Sequence, residues 1–159
     1  MIGQAIFVLT FAAAIGCGLV GGIFFAFSAF VMAALGRLPS DHGIAAMNSI
    51  NVTVINPAFM LAFLGTGLGC VVLAAGSYFW WDQVGGKLIL MASVIYLVGC
   101  IGVTKVCNIP LNDALAAVQT GTPEAAALWS QYLDKWTAWN TVRTVAPLVS
   151  AALFMAALI

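Results

Sequence analysis

Long stretches without any charged side chain are the feature that most restricts the fold of this chain. No charge occurs before Arg37, and a second uncharged stretch runs from Gly43 to Trp81. A helix rises 1.5 Å per residue, so about 20 apolar residues cross a hydrocarbon core of about 30 Å. The chain as a whole is 64% hydrophobic and only 6% charged, whereas soluble domains carry about 25% charged residues. These features predict an all-α integral membrane protein.

The charge pattern divides the chain into four predicted membrane spans. They cover residues 2–35, 57–78, the stretch between Lys87 and Lys105, and 137–159. The last helix is predicted to begin earlier, at Thr122-Pro123-Glu124, because this triplet has the order of an N-cap, a first-turn proline and a first-turn acid. We therefore predict a four-helix bundle, as a single four-span domain over residues 1–159, with a long and partly extramembrane last helix.

Small residues at helix-contact spacing indicate how the spans pack. Gly18 and Gly22 form one such pair and Gly65 and Gly69 another, and pairs of this kind let helix backbones approach closely in a membrane. We expect the lipid bilayer as a partner, and the sequence leaves open a homo-oligomer.

The distribution of cations predicts an orientation. Four spans place Arg37, Lys105, Lys135 and Arg143 on one membrane side and Lys87 on the other. Cytoplasmic loops carry the excess of lysine and arginine. The prediction is a multi-pass protein of the cell membrane whose asparagine-rich face is cytoplasmic.

All six asparagines lie in three short segments, which the predicted spans bring to that one membrane face. The residues are Asn48, Asn51, Asn56, Asn108, Asn112 and Asn140. A buried side-chain amide is costly unless its donors and acceptor are satisfied, so this concentration predicts one polar site. Two alternatives are structural: Asn56 starts the helix at Pro57, and Asn108 and Asn112 cap a helix broken by Pro110.

An aromatic stripe at helical spacing leads towards the same face. Trp129, Tyr132, Trp136, Trp139, Asn140 and Arg143 recur at steps of three and four residues. An arginine near the lipid should have a partner, for which Asp113 and loop carbonyls are candidates. The alternative is an interfacial aromatic belt with a snorkelling arginine, although such a belt has no need of Asn140.

The remaining motifs argue against other classes of function. His42 is the only histidine, and zinc sites need three or four nitrogen, sulfur or oxygen ligands. The four cysteines have no CxxC spacing. No Ser-His-Asp arrangement is visible, and the net charge of zero gives no basic patch for nucleic acid. We predict no metal site, no cofactor and no nucleic-acid partner.

Five spaced motifs give the chain a family resemblance. FFAFSAFVMAALGRLP, GIAAMNSIN, VINPAFM, NIPLND and WTAWNTVRT together resemble the anthrone-oxygenase-like family of small four-span membrane proteins. The resemblance implies oxidation of a tricyclic anthrone to an anthraquinone by molecular oxygen, without an evident cofactor. The chain departs from the family pattern at Thr141, where many relatives carry a histidine.

Roles for individual residues follow from this resemblance. Such a reaction needs an aromatic slot, donors for a developing oxyanion and a proton acceptor. The predicted catalytic residues are Asn140, Arg143, Asp113 and His42; the predicted substrate-binding residues are Asn48, Asn51, Asn108, Asn112, Trp136 and Trp139. Among them Trp136 and Trp139 would face the rings, and Asp113 or His42 would be the base.

Two classes of function remain after these arguments. The first is a membrane-embedded oxygenase or oxidase acting with O₂ on a lipophilic aromatic substrate such as an anthrone or a hydroquinone. The alternative is a non-enzymatic membrane protein that binds a lipophilic molecule or serves as an accessory subunit of a larger complex. Polarity concentrated at one place favours a pocket, whereas transporters place breaks near the bilayer midplane.

Overall fold

The computed structural model describes residues 3–81 and 84–159. These residues form helices joined by short turns, with no strand among them. The helices are α1 (Gln4–Leu35), α2 (Ser40–Thr53), α3 (Pro57–Trp80), α4 (Val84–Ala117) and α5 (Pro123–Ala157). All except α2 are long and apolar enough to cross a membrane. The predicted fold class is confirmed: the chain is an all-α, multi-pass membrane protein with a long last helix.

Two predicted helix starts are confirmed by their caps. The Asn56 side chain accepts a hydrogen bond from the Phe59 amide at 3.1 Å, with Pro57 in the first turn of α3. At α5 the Thr122 hydroxyl accepts from the Ala125 amide at 3.1 Å. In both cases a side-chain oxygen satisfies an amide that has no partner within the helix.

The predicted break of the third span at Pro110 is wrong, because α4 continues to Ala117. Two widened, π-helical turns, Leu97–Gly102 and Thr104–Asn108, lie just before the proline. They rearrange the backbone hydrogen-bond ladder, so that Pro110 falls in the first turn of the regular stretch Ile109–Ala117. A proline is tolerated there, because the widened turns already replace the regular bond to the residue four positions back.

The long helices pack side by side: α5 contacts α1 and α4, and α3 contacts the same two helices on their other side. The closest backbone approaches differ from those predicted. A Cβ at Gly21 would lie 3.0 Å from the Leu148 side chain, and one at Gly16 would overlap Thr66. A Cβ at Gly18 or Gly22 would meet nothing within 4 Å, so the predicted packing role of that pair is wrong.

Two separate hydrophobic clusters form the core. The larger one joins α1, α3, α4 and the end of α5; its members include Cys17, Cys70, Tyr96 and Phe154. The smaller one lies towards the asparagine-rich end and is formed by Met32, Ile44, Met47, Leu115, Ala125, Trp129, Tyr132 and Trp136. The chain thus has one core within the four spans and a second where α2 meets α4 and α5.

Direct tertiary contacts fix helix α2 to its neighbours. The Asp41 carboxylate accepts from the Gly121 amide at 2.9 Å, and the Asn48 amide donates to the Leu115 carbonyl at 3.4 Å. A Cβ at Gly43 would lie 2.6 Å from the Trp129 ring, so the helix backbone rests directly on that indole. This close approach brings Asn51, in the last turn of α2, towards the other helices.

Candidate functional site

A partly open cavity of about 230 Å³ lies where the two core clusters meet. Every helix contributes to its lining, and so does the link between α2 and α3. The lining consists of Ile23, Phe24, Phe27, Met47, Ile50, Asn51, Val54, Ile55, Phe59, Met60, Phe63, Thr104, Ile109, Asn112, Trp136 and Arg143. The wall is therefore mainly apolar, with a few polar groups, as in most small-molecule sites.

Aromatic rings form two sides of this cavity. On one side Phe59 and Phe63 stack at 5.6 Å between ring centroids, and Phe24 meets both edge-on at 6.3 and 6.2 Å. On the other side Phe27 lies 5.8 Å from Trp136. Flat faces and edges at these spacings provide favourable contacts for a planar ring.

Among the lining residues that the structure describes, Arg143 is the one with a charge, and it is only 5% exposed. Its Nη2 donates to Asn140 Oδ1 at 2.8 Å and its Nη1 to Thr104 Oγ1 at 3.2 Å. The guanidinium carbon lies 4.3 Å from the Phe24 ring centroid and 5.1 Å from that of Trp136, in cation–π geometry. The neighbours of this cation are thus neutral groups.

The predicted partners of Arg143 are corrected by this geometry. Asp113 is exposed on α4, and the hydrogen bonds of the guanidinium go to side chains within helices rather than to loop carbonyls. The positive charge therefore remains without a carboxylate among the partners that the structure describes.

Two buried donors make no hydrogen bond of good geometry to another residue that the structure describes. They are Asn51 Nδ2 on α2, which lies near the Tyr132 hydroxyl, and Arg143 Nε on α5, and both residues line the cavity. A buried donor without a partner costs about 1–3 kcal/mol. Both nitrogen atoms are covered by protein atoms, so a ligand oxygen would bind them only after a shift of these side chains.

Asn112 organises the aromatic stripe at the edge of the cavity. Its Oδ1 accepts from Tyr132 Oη and from Trp136 Nε1, both at 2.8 Å. Trp129, Tyr132 and Trp136 stack in turn, with centroids 5.6 and 6.0 Å apart. One amide oxygen thus satisfies two aromatic donors and fixes the orientation of the Trp136 ring.

The other asparagines support the site from outside its lining. Asn140 is fully buried and binds Arg143, while Asn108, also fully buried, donates to the Trp136 carbonyl at 3.2 Å. Asn48 connects α2 to α4. The capping role considered for Asn56 is confirmed, whereas that for Asn108 and Asn112 is wrong, because their amides join α4 to α5.

The structure does not bring every predicted site residue to the cavity. His42 and Asp113 are exposed and do not line it. Trp139 is 43% exposed, because one residue corresponds to a rotation of about 100° on a helix, and Asn140 occupies the inward direction. Thr141 also lies outside, in an open groove between α1 and α5, so the departure from the family pattern does not alter the cavity wall.

Sequence reasoning missed most of the aromatic wall. Phe24, Phe27, Phe59 and Phe63 line the cavity together with Thr104. The chain has 10 phenylalanines, and nothing in their spacing separates these from lipid-facing ones such as Phe30, which is 60% exposed. The available signal for Phe24, Phe27 and Phe59 was their position in FFAFSAF and INPAFM, two segments that carry the family resemblance, whereas Phe63 and Thr104 lie outside them.

The polar groups of the cavity are hydrogen-bonding groups and one cation rather than a set of metal ligands. Within residues 3–81 and 84–159, no three side chains of histidine, cysteine, aspartate or glutamate are placed to hold a metal ion. The polar lining residues Asn51, Thr104, Asn112 and Arg143 offer amide, hydroxyl and guanidinium groups. Such groups orient a ligand through hydrogen bonds and place a positive charge beside it.

Together these features define a multi-pass helical membrane protein with an aromatic cavity and a buried cation. Residues 57–153, more than half of the chain, match the model of the anthrone oxygenase family. The chain belongs to this family. Neither the curated proteins nor the solved structures gave a match. The matched segment contains Phe59, Asn112, Trp136 and Arg143, so it supplies helices α3 and α4, most of α5, and a large part of the cavity.

Proposed function

We propose that the protein is a membrane-embedded oxygenase that oxidises a lipophilic aromatic substrate of the anthrone or hydroquinone type with O₂. The observation that carries the proposal is Arg143, a buried cation between aromatic rings with no carboxylate among its described partners. Membership of the anthrone oxygenase family supports the same chemistry. Family membership alone does not identify a substrate, so the substrate class rests on the cavity.

The cavity suits a flat molecule that carries an oxygen on its ring. The ring would lie between Trp136 and the group of Phe24, Phe59 and Phe63, with its oxygen towards Arg143 and Asn51. A small shift of these two side chains would allow Arg143 Nε and Asn51 Nδ2, which protein atoms now cover, to donate to that oxygen. Hydrogen-bond donors of this kind stabilise an oxyanion more effectively than water does.

The proposed reaction begins with loss of a proton from the ring methylene of an anthrone. The resulting enolate places its negative charge on the ring oxygen beside Arg143, and the electron-rich carbon transfers electrons to O₂. Both methylene C–H bonds break; one oxygen atom becomes the new carbonyl and the other leaves as water. Atoms and electrons then balance without a further reductant.

The proton acceptor is not assigned to a residue of the cavity. His42 and Asp113 lie outside the lining, and their role as a base stays a prediction. We propose that the proton passes to water on the asparagine-rich side of the cavity, with this side towards the cytoplasm of a cell membrane. The positive charge of Arg143 favours this ionisation, since an opposite charge nearby stabilises the anion.

Oxygen uptake by the purified protein in lipid nanodiscs tests this proposal. With 1,8-dihydroxyanthrone we expect uptake well above autoxidation, together with the absorbance of the quinone. Arg143→Met should lower kcat/KM at least about 100-fold, the effect of removing one oxyanion donor. The matched control is Arg37→Met, which removes an exposed cation and should have little effect. Uptake no faster than autoxidation with several anthrones and hydroquinones would refute the proposal.

A second function is favoured by the described part of the cavity lining, in which no residue is an acid or a histidine. The protein would then bind a lipophilic aromatic molecule without converting it. Tight binding of 1,8-dihydroxyanthraquinone that depends on Arg143, together with no catalysed oxygen uptake, would support this alternative.

A further inference from the structure

A chain of hydrogen bonds runs from the outer surface of α5 to the cation in the cavity. It begins at Thr141, whose hydroxyl lies 2.9 Å from the Thr137 carbonyl and donates to it. Ser28 Oγ lies 3.1 Å from Thr141 Oγ1. Because a hydroxyl has a single proton, Thr141 can only accept in this second bond, and Ser28 is the donor.

The next bond fixes the orientation of the Asn140 amide. Ser28 Oγ, having donated its proton, accepts from Asn140 Nδ2 at 2.8 Å, and the same nitrogen donates to the Phe24 carbonyl at 2.8 Å. Both amide protons are thus engaged, so Oδ1 must face the other way. A flipped amide would direct its oxygen at the Phe24 carbonyl and its NH₂ group at the guanidinium, which is repulsive on both sides.

The chain ends at the guanidinium. Asn140 Oδ1 accepts from Arg143 Nη2 at 2.8 Å, and Arg143 Nη1 donates to Thr104 Oγ1 at 3.2 Å. Thr104 in turn donates to the Cys100 carbonyl at 2.8 Å. The planar group is held at both terminal nitrogens, whereas Nε is buried and makes no hydrogen bond to a residue that the structure describes. Arg143 as a whole lines the cavity.

We propose that Ser28 is a positioning residue for the cavity, although its side chain lies in the open groove between α1 and α5. Through Asn140 it fixes the direction of the Arg143 guanidinium and so sets the affinity for an aromatic ligand with a ketone or anionic oxygen. The ligand class rests on the proposed function; the coupling from Ser28 to Arg143 does not.

The structural alternative is that Ser28 merely ties α1 to α5 at the groove. In that case its loss would weaken the packing and affect ligand affinity to the same extent whether or not Arg143 is present. A positioning role predicts instead that the effect of Ser28 disappears when Arg143 is absent. A double-mutant cycle separates these two readings.

The experiment measures the Kd of 1,8-dihydroxyanthraquinone by absorption titration of the full chain in lipid nanodiscs. Ser28→Ala should weaken binding about fivefold, the effect of one ordinary hydrogen bond. In an Arg143→Met background the same substitution should change Kd by less than about twofold, because little coupling then remains. Where Arg143→Met binds too weakly to titrate, Asn140→Ala provides the second background.

Three further variants keep the test decisive. Ser150→Ala removes a serine of α5 whose hydroxyl bonds only the Ala146 carbonyl one turn back, and should leave Kd unchanged. Ser28→Thr retains a hydroxyl and should restore most of the affinity. If Ser28→Ala does not fold, Thr141→Val takes its place, because it removes the group that accepts from Ser28. We expect it to weaken ligand binding less than one ordinary hydrogen bond would, and this loss of affinity should also disappear in the Arg143→Met background.

Equal effects of Ser28→Ala in both backgrounds, or no effect in the wild type, would overturn the proposal. The two proposals fail separately. Intact coupling without oxygen uptake refutes the oxygenase and leaves the role of Ser28 standing, whereas oxygen uptake that depends on Arg143 but not on Ser28 refutes the role of Ser28 alone.

Discussion

Arg143 is the residue around which the site is built, because its environment is unusual for a buried charge. Buried charges are ordinarily paired with an opposite charge. Here the guanidinium contacts an amide, a hydroxyl and the faces of two aromatic rings. These groups offset part of the free-energy cost of removing the guanidinium from water, but none of them carries a negative charge. The positive charge is therefore available to an anionic ligand.

Removal of the Asn112 side chain should destabilise the protein, because two buried donors share its oxygen. We expect Asn112→Ala to cost about 1–3 kcal/mol, the range for leaving a buried donor unpaired. The midpoint of thermal unfolding in detergent measures this loss.

Adding Tyr132→Phe to Asn112→Ala should recover part of the stability, since it removes one of the orphaned donors. A double variant as unstable as the sum of the two single losses would contradict this account of the network.

At the scale of residues, the sequence predicted the polar members of the site better than the aromatic ones. Asn140 and Arg143, three positions apart, fall on one helix face, and Trp136 precedes them by one turn, so helical periodicity alone joins them. Trp139 satisfies the spacing to Trp136 equally well but points outward. Periodicity defines a face about 100° wide, and only packing decides which residue at its edge is buried.

At the scale of elements, widened turns shape the cavity in three of the long helices. Phe27 begins the turn Phe27–Val31, Phe63 lies within Leu61–Gly65, and Thr104 begins Thr104–Asn108. Each of these residues lines the cavity. Such turns occur often at functional sites. The position of such turns depends on how the helices pack rather than on residue type. The sequence therefore did not predict them.

Substitution of Gly43 should test whether α2 holds its place by direct contact with Trp129. A Cβ at this glycine would lie 2.6 Å from an indole that is stacked on Tyr132, so the ring has little freedom to yield. We expect Gly43→Ala to destabilise the protein by about 1–3 kcal/mol, the usual effect of overpacking.

The matched control is Gly18→Ala in α1, where a Cβ would meet nothing within 4 Å. Alanine favours a helix over glycine, so this variant should be as stable as the wild type or more so. Thermal unfolding of both variants in the same detergent gives the comparison, and equal midpoints would contradict the close-contact account.

At the scale of the whole molecule, the exposed members of the lining mark the cavity mouth. Ile55, between α2 and α3, is 71% exposed, and Ile109 on α4 is 43% exposed, yet both line the space. These side chains are apolar, as expected of an entrance reached from the bilayer. A lipophilic molecule dissolved in the membrane could enter between them without crossing water.

Narrowing this mouth should slow entry. We expect Ile55→Trp to lower the association rate of 1,8-dihydroxyanthraquinone at least about fivefold, measured by stopped-flow absorbance in nanodiscs, while a smaller probe such as 2-naphthol is less affected. Val52→Trp is the control, since Val52 is 74% exposed but lies outside the lining. Equal association rates for Ile55→Trp and Val52→Trp would contradict the assignment of Ile55 to the cavity mouth.

The architecture was largely predictable from the sequence, because charge-free runs and the caps at Asn56 and Thr122 act locally. Helix α2 was not predicted as a separate element, since residues 40–53 mix apolar and amide side chains without a clear period. Its position depends on tertiary contacts at Asp41 and Gly43. Burial likewise depends on tertiary contacts, and this is why His42 and Asp113 were predicted as site residues from their type. The structure shows both of them exposed.

The position of the cavity between two core clusters has a practical consequence for finding its ligand. A molecule that fills this space would touch Phe63 from one cluster and Trp136 from the other, and so would stabilise both at once. Binding to the native state alone adds about 2.7 kcal/mol at a ligand concentration of 100 times Kd. A screen of aromatic compounds by their effect on melting temperature would therefore detect those that bind in this cavity.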